Sequence, residues 1–308
     1  MKKVSVFAPA SIGNIGPGFD LLGMAIANMG DTVTATRTRE SGVTISKIVS
    51  GGGGLPNHPD QNTAGIAAQA VLSNLKIKEG VDLMLCKGVL GTGLGSSAAS
   101  AVAAAFATNL LFGKTLTRAE LIPLAAVAES KVSSGFFLDN IGPSMMGGVT
   151  WNNPITKEVV PLGVIEKAIV VIAVPDFSLL TRESRKALPT KITMAQFISN
   201  MAYASIMAWA VSKKDVTRFG QSIHDIVAEP VRAPLIKGFD AVKKAAIEAG
   251  ALGCSIAGAG ASIFAITDDA KKAKKIGAAM RAEFSQHKVA AQIIITTIDK
   301  KGARERND

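Results

Sequence analysis

An α+β fold in two domains is what this sequence predicts, and three observations carry the prediction. Segments with β-branched alternation and segments with helical spacing both recur along the 308 residues, without the regular βαβ beat of a barrel or a doubly wound sheet. No internal repeat stands out. The stretch WNNPITKE at 151–158 is a polar, proline-containing connector between two element-rich halves, so the domains are set at 1–155 and 156–308.

VSVFAP opens the chain as a strand, and ASIGNIGPGFDLLG is a loop crowded with turn formers around Gly16, Pro17 and Gly18. DTVTATRTR is a strand with one wet face, and TISKIV is another. GGGGLPNHPDQ at 51–61 is loop, after which Asn62 and Thr63 can cap a helix running to about Leu75. VDLMLCKGV is a strand that leads into glycines, and an alanine-rich helix starts at Ser96 or Ser97. A helix covers about 118–131, 133–148 is loop and turn, and short strands follow. KAIVVIAVP at 167–175 is a buried strand. Helices are expected over about 193–212, 215–228 and 234–249. CSIAGAGASIFAIT is strand, turn and strand, 269–286 is helical, and AAQIIITTID closes as a strand.

With 48% hydrophobic and 19% charged residues the chain can bury a sizeable core and is not a disordered sequence. Its net charge of +10 invites a nucleic-acid reading, but the basic residues are scattered and aromatics are only 5%, leaving few stacking platforms. The run KKAKK at 271–275 falls in a helical pattern and reads as a solvated face. A basic balance equally suits substrates that carry several negative charges. Cys86 and Cys254 sit in apolar surroundings and read as reduced core residues. The apolar part of MKKVSVFAPA is too short for a signal peptide, and the alanine run after Ser97 is broken by Ser100, Thr108 and Asn109 before it could span a membrane. A cytoplasmic protein with neither nucleic-acid nor membrane partners is expected.

The chemistry concentrates in GVLGTGLGSSAASAVAAAF at 88–106. Gly91, Gly93 and Gly95 let successive backbone N–H groups face one anion, and Leu94 between them can anchor the loop in the core. Ser96 and Ser97 then stand at a helix mouth, where the dipole favours an anion. The two hydroxyls can offer a helix cap, a phosphate hydrogen bond and a ligand for Mg²⁺. Two other nucleotide signatures fail. LLFGKT at 110–115 carries Thr108 where a P-loop needs glycine, and Ser96 breaks the dinucleotide spacing that Gly91 and Gly93 begin. No His/Cys cluster has zinc spacing.

GLGSSAAS resembles the central phosphate-binding motif of the GHMP small-molecule kinases. APASIGNIGPGFDLLG resembles the first motif of that family in the form seen in its homoserine-kinase branch, and SIAGAGASIFAI resembles the third. The order and spacing of the three extend the resemblance over nearly the whole chain. Val89 stands where many members have proline, and Ala257 and Ala261 where Ser and Pro are common, departures that alter loop stiffness more than chemistry. The resemblance implies an S5-like N-terminal domain and a ferredoxin-like C-terminal domain with ATP between them, and family members are often homodimers.

It also implies roles. Asn62, Gly91, Gly93, Leu94, Gly95, Ser96, Ser97, Gly258 and Gly260 would surround the nucleotide, with Asn62 either at the adenine or simply capping its helix. Ser97 and Glu129 would hold Mg²⁺. TRESRKALP offers Thr181 and Arg185, and AEPVRAPLI offers Arg232, for the carboxylate of an amino-acid substrate. Asn14, Asp20 and Asn140 would surround its amine and hydroxyl. Asp20 is either a general base or the partner of the substrate ammonium, and the second reading is favoured because an engaged carboxylate has a lowered pKa. The reaction implied is phosphorylation of L-homoserine in threonine biosynthesis, with another small alcohol such as mevalonate as the alternative. One departure bears on the substrate: Phe137 occupies a position where the branch commonly has histidine.

Overall fold

Alternating small and β-branched residues make the two longest strands. In the computed structural model, which describes residues 2–49, 54–89, 92–133 and 137–306, β1 (Lys3–Gly13) pairs antiparallel with β2 (Leu22–Thr38), with a register shift between Pro9 and Ala10. β1 therefore runs through residues expected to be loop. Ala10 and Ile12 are buried opposite Ile26 and Met24, and that burial holds the strand beyond Pro9. β3 (Gly42–Val49), α1 (Thr63–Asn74) and β4 (Gly80–Cys86) follow, with β4 parallel to β3 and antiparallel to β2.

α2 (Ser96–Leu111) is rich in alanine because it is enclosed: it packs on β1 and β2 and against α1 and α3 (Arg118–Ser133), leaving no room for larger residues on most of its surface. α4 (Ile141–Met146) is a short buried helix in a segment expected to be loop, and β5 (Val149–Asn152) and β6 (Val159–Gly163) complete this half. β6 pairs with β5 in the first sheet, so the expected boundary at 155/156 falls inside that sheet.

The second half carries β7 (Ile169–Pro175), α5 (Thr181–Lys186), α6 (Met194–Lys213), α7 (Val216–Gln221), α8 (Glu229–Arg232), α9 (Phe239–Glu248), β8 (Gly253–Ile256), β9 (Ile263–Thr267), α10 (Ala270–Gln286) and β10 (Ala291–Thr297). Its antiparallel sheet has the order β10-β7-β9-β8, the ferredoxin-like arrangement. The helix expected over 215–228 stops at Gln221, because the Asp225 carboxylate takes the N–H groups of Val227, Ala228 and Glu229 and starts α8 instead. β11 (Arg304–Glu305), which has no sequence signal of its own, returns to pair with β1 in the first sheet. Cys254 is buried, and burial pushes its thiol up to about 12. Cys86, expected in the core, is exposed because it ends β4 where the strand leaves the packed face.

Period-two alternation in β7 sends its residues to two different cores. Val171 and Ala173 pack under α9 and α10 with Phe239, Ile276 and Phe284. Val170 and Ile172 turn the other way and join Ile12, Met24, Ile26 and Leu94 of the first half in one continuous cluster. The two domains thus share a hydrophobic core directly behind the glycine loop.

A buried ionic knot fixes the approach to that loop. Asp31, only 1% exposed, accepts from Lys87 Nζ, from Ser100 Oγ at 2.6 Å, and from the N–H groups of Gly88 and Val89 at 3.0 and 3.3 Å. Lys87 Nζ also donates to the Ser96 carbonyl at 3.2 Å. The end of β4, the loop and the first turn of α2 are therefore tied to one carboxylate. Asp31→Ala withdraws that acceptor from a buried cation and two amides, and we expect a loss of roughly 3–5 kcal/mol in denaturant unfolding. Asp31→Asn, which keeps an acceptor, should lose less.

Candidate active site

The end of β1, the glycine loop and the turn after β8 meet at the mouth of α2. The Gly258 N–H donates to the Gly13 carbonyl at 3.1 Å, the Ala261 N–H to Thr92 Oγ1 at 2.9 Å, and the Ser11 N–H to the Leu94 carbonyl at 3.1 Å. Gly93 and Gly95 have φ of 84° and 66°, in the left-handed region. A methyl group on Gly93 would collide with the Ala257 carbonyl oxygen, and one on Gly95 with Ser11 Oγ. Leu94 is 1% exposed and fills the shared core, as an anchor should. Gly91 lies outside the described residues.

The N-cap of α2 is Gly95, and no side chain caps the helix. The serines are therefore its first two residues rather than its cap. Both line a cavity of about 230 Å³ that also includes Gly93, Gly95 and Gly258 in its wall. Gly260 shapes the adjoining turn, its N–H donating to the Ala257 carbonyl at 2.9 Å, without reaching the wall. Asn62 is used elsewhere: its Oδ1 caps α1 through the Ala64 N–H and its Nδ2 donates to the Pro56 carbonyl. Of the two roles open to it in the sequence, the structure displays the cap.

Opposite the serines, Asn14 and Asp20 sit in the turn between β1 and β2, both with positive φ, and Asn14 Oδ1 accepts the Asp20 N–H at 2.8 Å. Arg185 of α5 spans the cavity wall and donates Nη2 and Nη1 to the two Asp20 carboxylate oxygens at 2.8 and 3.1 Å. Thr181 lines the same wall. Arg232 is placed differently from the expectation. It is 3% exposed behind the wall, with Nε donating to the Ser184 carbonyl at 3.2 Å and Nη1 to the Gly258 carbonyl at 3.3 Å. There it braces α5 against the glycine turn.

The floor holds Glu129, Asp139 and Asn140. Ser11 Oγ donates to Asn140 Oδ1 at 3.0 Å, which fixes the amide and turns Nδ2 toward Asp139. Asp139 is a site residue that sequence reasoning passed over in favour of its neighbour. It is 2% exposed, and burial, followed by the charges of Asp20 and Glu129, pushes its carboxyl up to about 7. Among the described residues no group of three or more His, Cys, Asp or Glu side chains is close enough to hold a metal alone. The Ser97 hydroxyl, Glu129 and the crowded carboxylate field that lifts Asp139 nevertheless fit a hard divalent cation that completes its shell with phosphate and water.

Comparison with known proteins agrees with this geometry. A family model described as the GHMP kinases N terminal domain matches residues 62–148, and one described as GHMP kinases C terminal matches 207–286. A homoserine kinase from Chlorobium phaeovibrioides is 38% identical, with 99% of each chain covered. The crystal structure of a homoserine kinase from Cytophaga hutchinsonii superposes with a TM-score of 0.94 at 35% identity, covering 99% of this chain and 98% of that one. A mevalonate kinase from L. major, at 16% identity and a TM-score of 0.71 over 96% of this chain and 95% of that one, shares the fold.

The state of Asp139 has a consequence for stability. The native carboxyl keeps its proton up to about pH 7, whereas the ordinary value is 3.8, so the folded protein binds more protons between those limits and loses stability as pH rises through them. Asp139→Asn removes that loss. Its unfolding free energy should exceed that of the wild type by roughly 1–4 kcal/mol at about pH 8, with the gap closing toward about pH 4.

Proposed function

The chain belongs to the GHMP kinase family, and from that premise we propose that it is an ATP-dependent homoserine kinase, moving the γ-phosphoryl group of ATP to the side-chain hydroxyl of L-homoserine on the route to threonine. The observation that carries the substrate assignment is the Asp20–Arg185 pair in the wall of the phosphate cavity. It presents one anionic and one cationic group, the complement of an amino-acid zwitterion. Mevalonate has a carboxylate for Arg185 but no cation for Asp20.

Phosphoryl transfer asks for position and charge stabilisation rather than covalent participation. The open amides at the start of α2 and the nest around Gly93 receive the phosphates, helped by Ser96. Mg²⁺, held by Ser97 and Glu129, supplies neutralisation of phosphate charge. Arg185 takes the substrate carboxylate, with Thr181 beside it, Asp20 takes the ammonium, and Arg232 supports Arg185 through the Ser184 carbonyl. Asn140, its amide oriented by Ser11, keeps one Nδ2 hydrogen beside Asp139 and has the other for the substrate hydroxyl. Asp20 is spent on charge pairing in this scheme, so the hydroxyl proton leaves with the transferred phosphoryl oxygens.

The protein is proposed to work as a homodimer in the cytoplasm. No helix among the described residues is long and apolar enough to cross a membrane. α6 carries no charged residue before Lys213 and exposes Met194, Phe197, Ile198 and Met201, a face suited to a second copy.

Coupled ADP release with ATP and Mg²⁺ over L-homoserine, D-homoserine, mevalonate, shikimate and galactose tests the reading. Turnover should be confined to L-homoserine, and Arg185→Ala should raise its KM by about 100-fold, the loss of a charge-assisted contact. Turnover of mevalonate in place of homoserine would overturn the substrate assignment.

A further inference from the structure

We infer that Phe137 is a positioning residue for substrate: its ring is the platform that keeps the Arg185 guanidinium in place while the Asp20 carboxylate changes partner. The inference rests on the homoserine kinase reading. In the cleft both terminal nitrogens of Arg185 are taken by Asp20, at 2.8 and 3.1 Å. Its Nε–H is buried and makes no hydrogen bond among the described residues. The bridge to Asp20 is thus the polar restraint on the guanidinium.

A zwitterion must break that restraint in order to bind. Its ammonium competes for Asp20, and its carboxylate needs the same two Arg185 nitrogens. Once the exchange is made, Asp20 no longer orients the arginine, and a flexible side chain is left to hold a planar fork against a carboxylate.

The remaining restraint is aromatic. The guanidinium carbon lies 4.0 Å from the centroid of the Phe137 ring and 5.2 Å from that of Phe19. Phe19 is shared, because Arg232 lies 4.9 Å from it, while Phe137 faces the cavity beside Arg185. A ring face attracts a cation without using any N–H donor, so it holds Arg185 equally well before and after the exchange. The phenylalanine ring gives this contact without a titratable group, so its hold on the guanidinium does not change with pH.

The test compares Phe137→Leu, which keeps bulk and removes the ring face, with Phe137→Tyr, which keeps the face. For Phe137→Leu we expect the KM for L-homoserine to rise about tenfold, with kcat within about threefold and the KM for ATP unchanged, and Phe137→Tyr should stay within about threefold of wild type throughout. Equal KM values for Phe137→Leu and wild type would overturn the inference. A parallel fall in kcat and rise in the KM for ATP would do the same, since that pattern belongs to general damage of the fold. A wild-type enzyme that does not phosphorylate L-homoserine overturns the underlying reading instead, and the two failures are distinguished by the wild-type assay alone.

Discussion

Everything about the cleft depends on three lengths of backbone coming closer together than side chains allow. The end of β1, the loop before α2 and the turn between β8 and β9 exchange hydrogen bonds directly, with Gly13, Gly93 and Gly258 at the contacts. The phosphate loop is thereby built from one domain and braced by the other. Its curvature is set by neighbours as well as by its own torsions, and Leu94 continues the bracing into the core that both sheets share.

Charge in the cleft is arranged in two layers with opposite properties. Beneath the loop, Asp31 and Lys87 form a buried knot that ties β4, the loop and α2 together and fixes their geometry. In the wall, Asp20 and Arg185 form a bridge with side chains 23% and 34% exposed, close enough to solvent for a ligand to compete. The knot holds structure, and the bridge is where the proposed recognition would take place. Between them Asp139 carries the cost of burial, to which the charges of Asp20 and Glu129 add.

How far the sequence discloses this follows from what each residue is constrained by. The glycine–serine loop is legible because φ > 0 and close approach leave few residue types able to stand there, and Leu94 is legible as the apolar residue between them. The alternating strands are legible for the same local reason. β1 is underestimated because its last residues look like turn formers and are kept extended by pairing with β2. α4 and α5 are too short to show a period. The raised carboxyl of Asp139 comes from what surrounds it, a matter of long-range packing. Arg232 has the composition of a ligand contact and the surroundings of a brace, while Asn62 meets the local demand of α1. The ring of Phe137 gains its meaning from Arg185, which lies in the other half of the chain.

The common core of the two sheets also limits how this molecule can move. Swinging the domains apart would bring Val170, Ile172, Ile12, Met24 and Leu94 into water together, at a cost on the order of 1.5–3 kcal/mol for each large side chain exposed. Opening and closing by a hinge between halves is therefore closed to it. The six-residue helix that carries Arg185 lies outside that core and is braced separately, by Arg232 through the Ser184 carbonyl. The cleft therefore keeps its shape as one body, and what can change within it is the partly exposed pairing of Asp20 with Arg185.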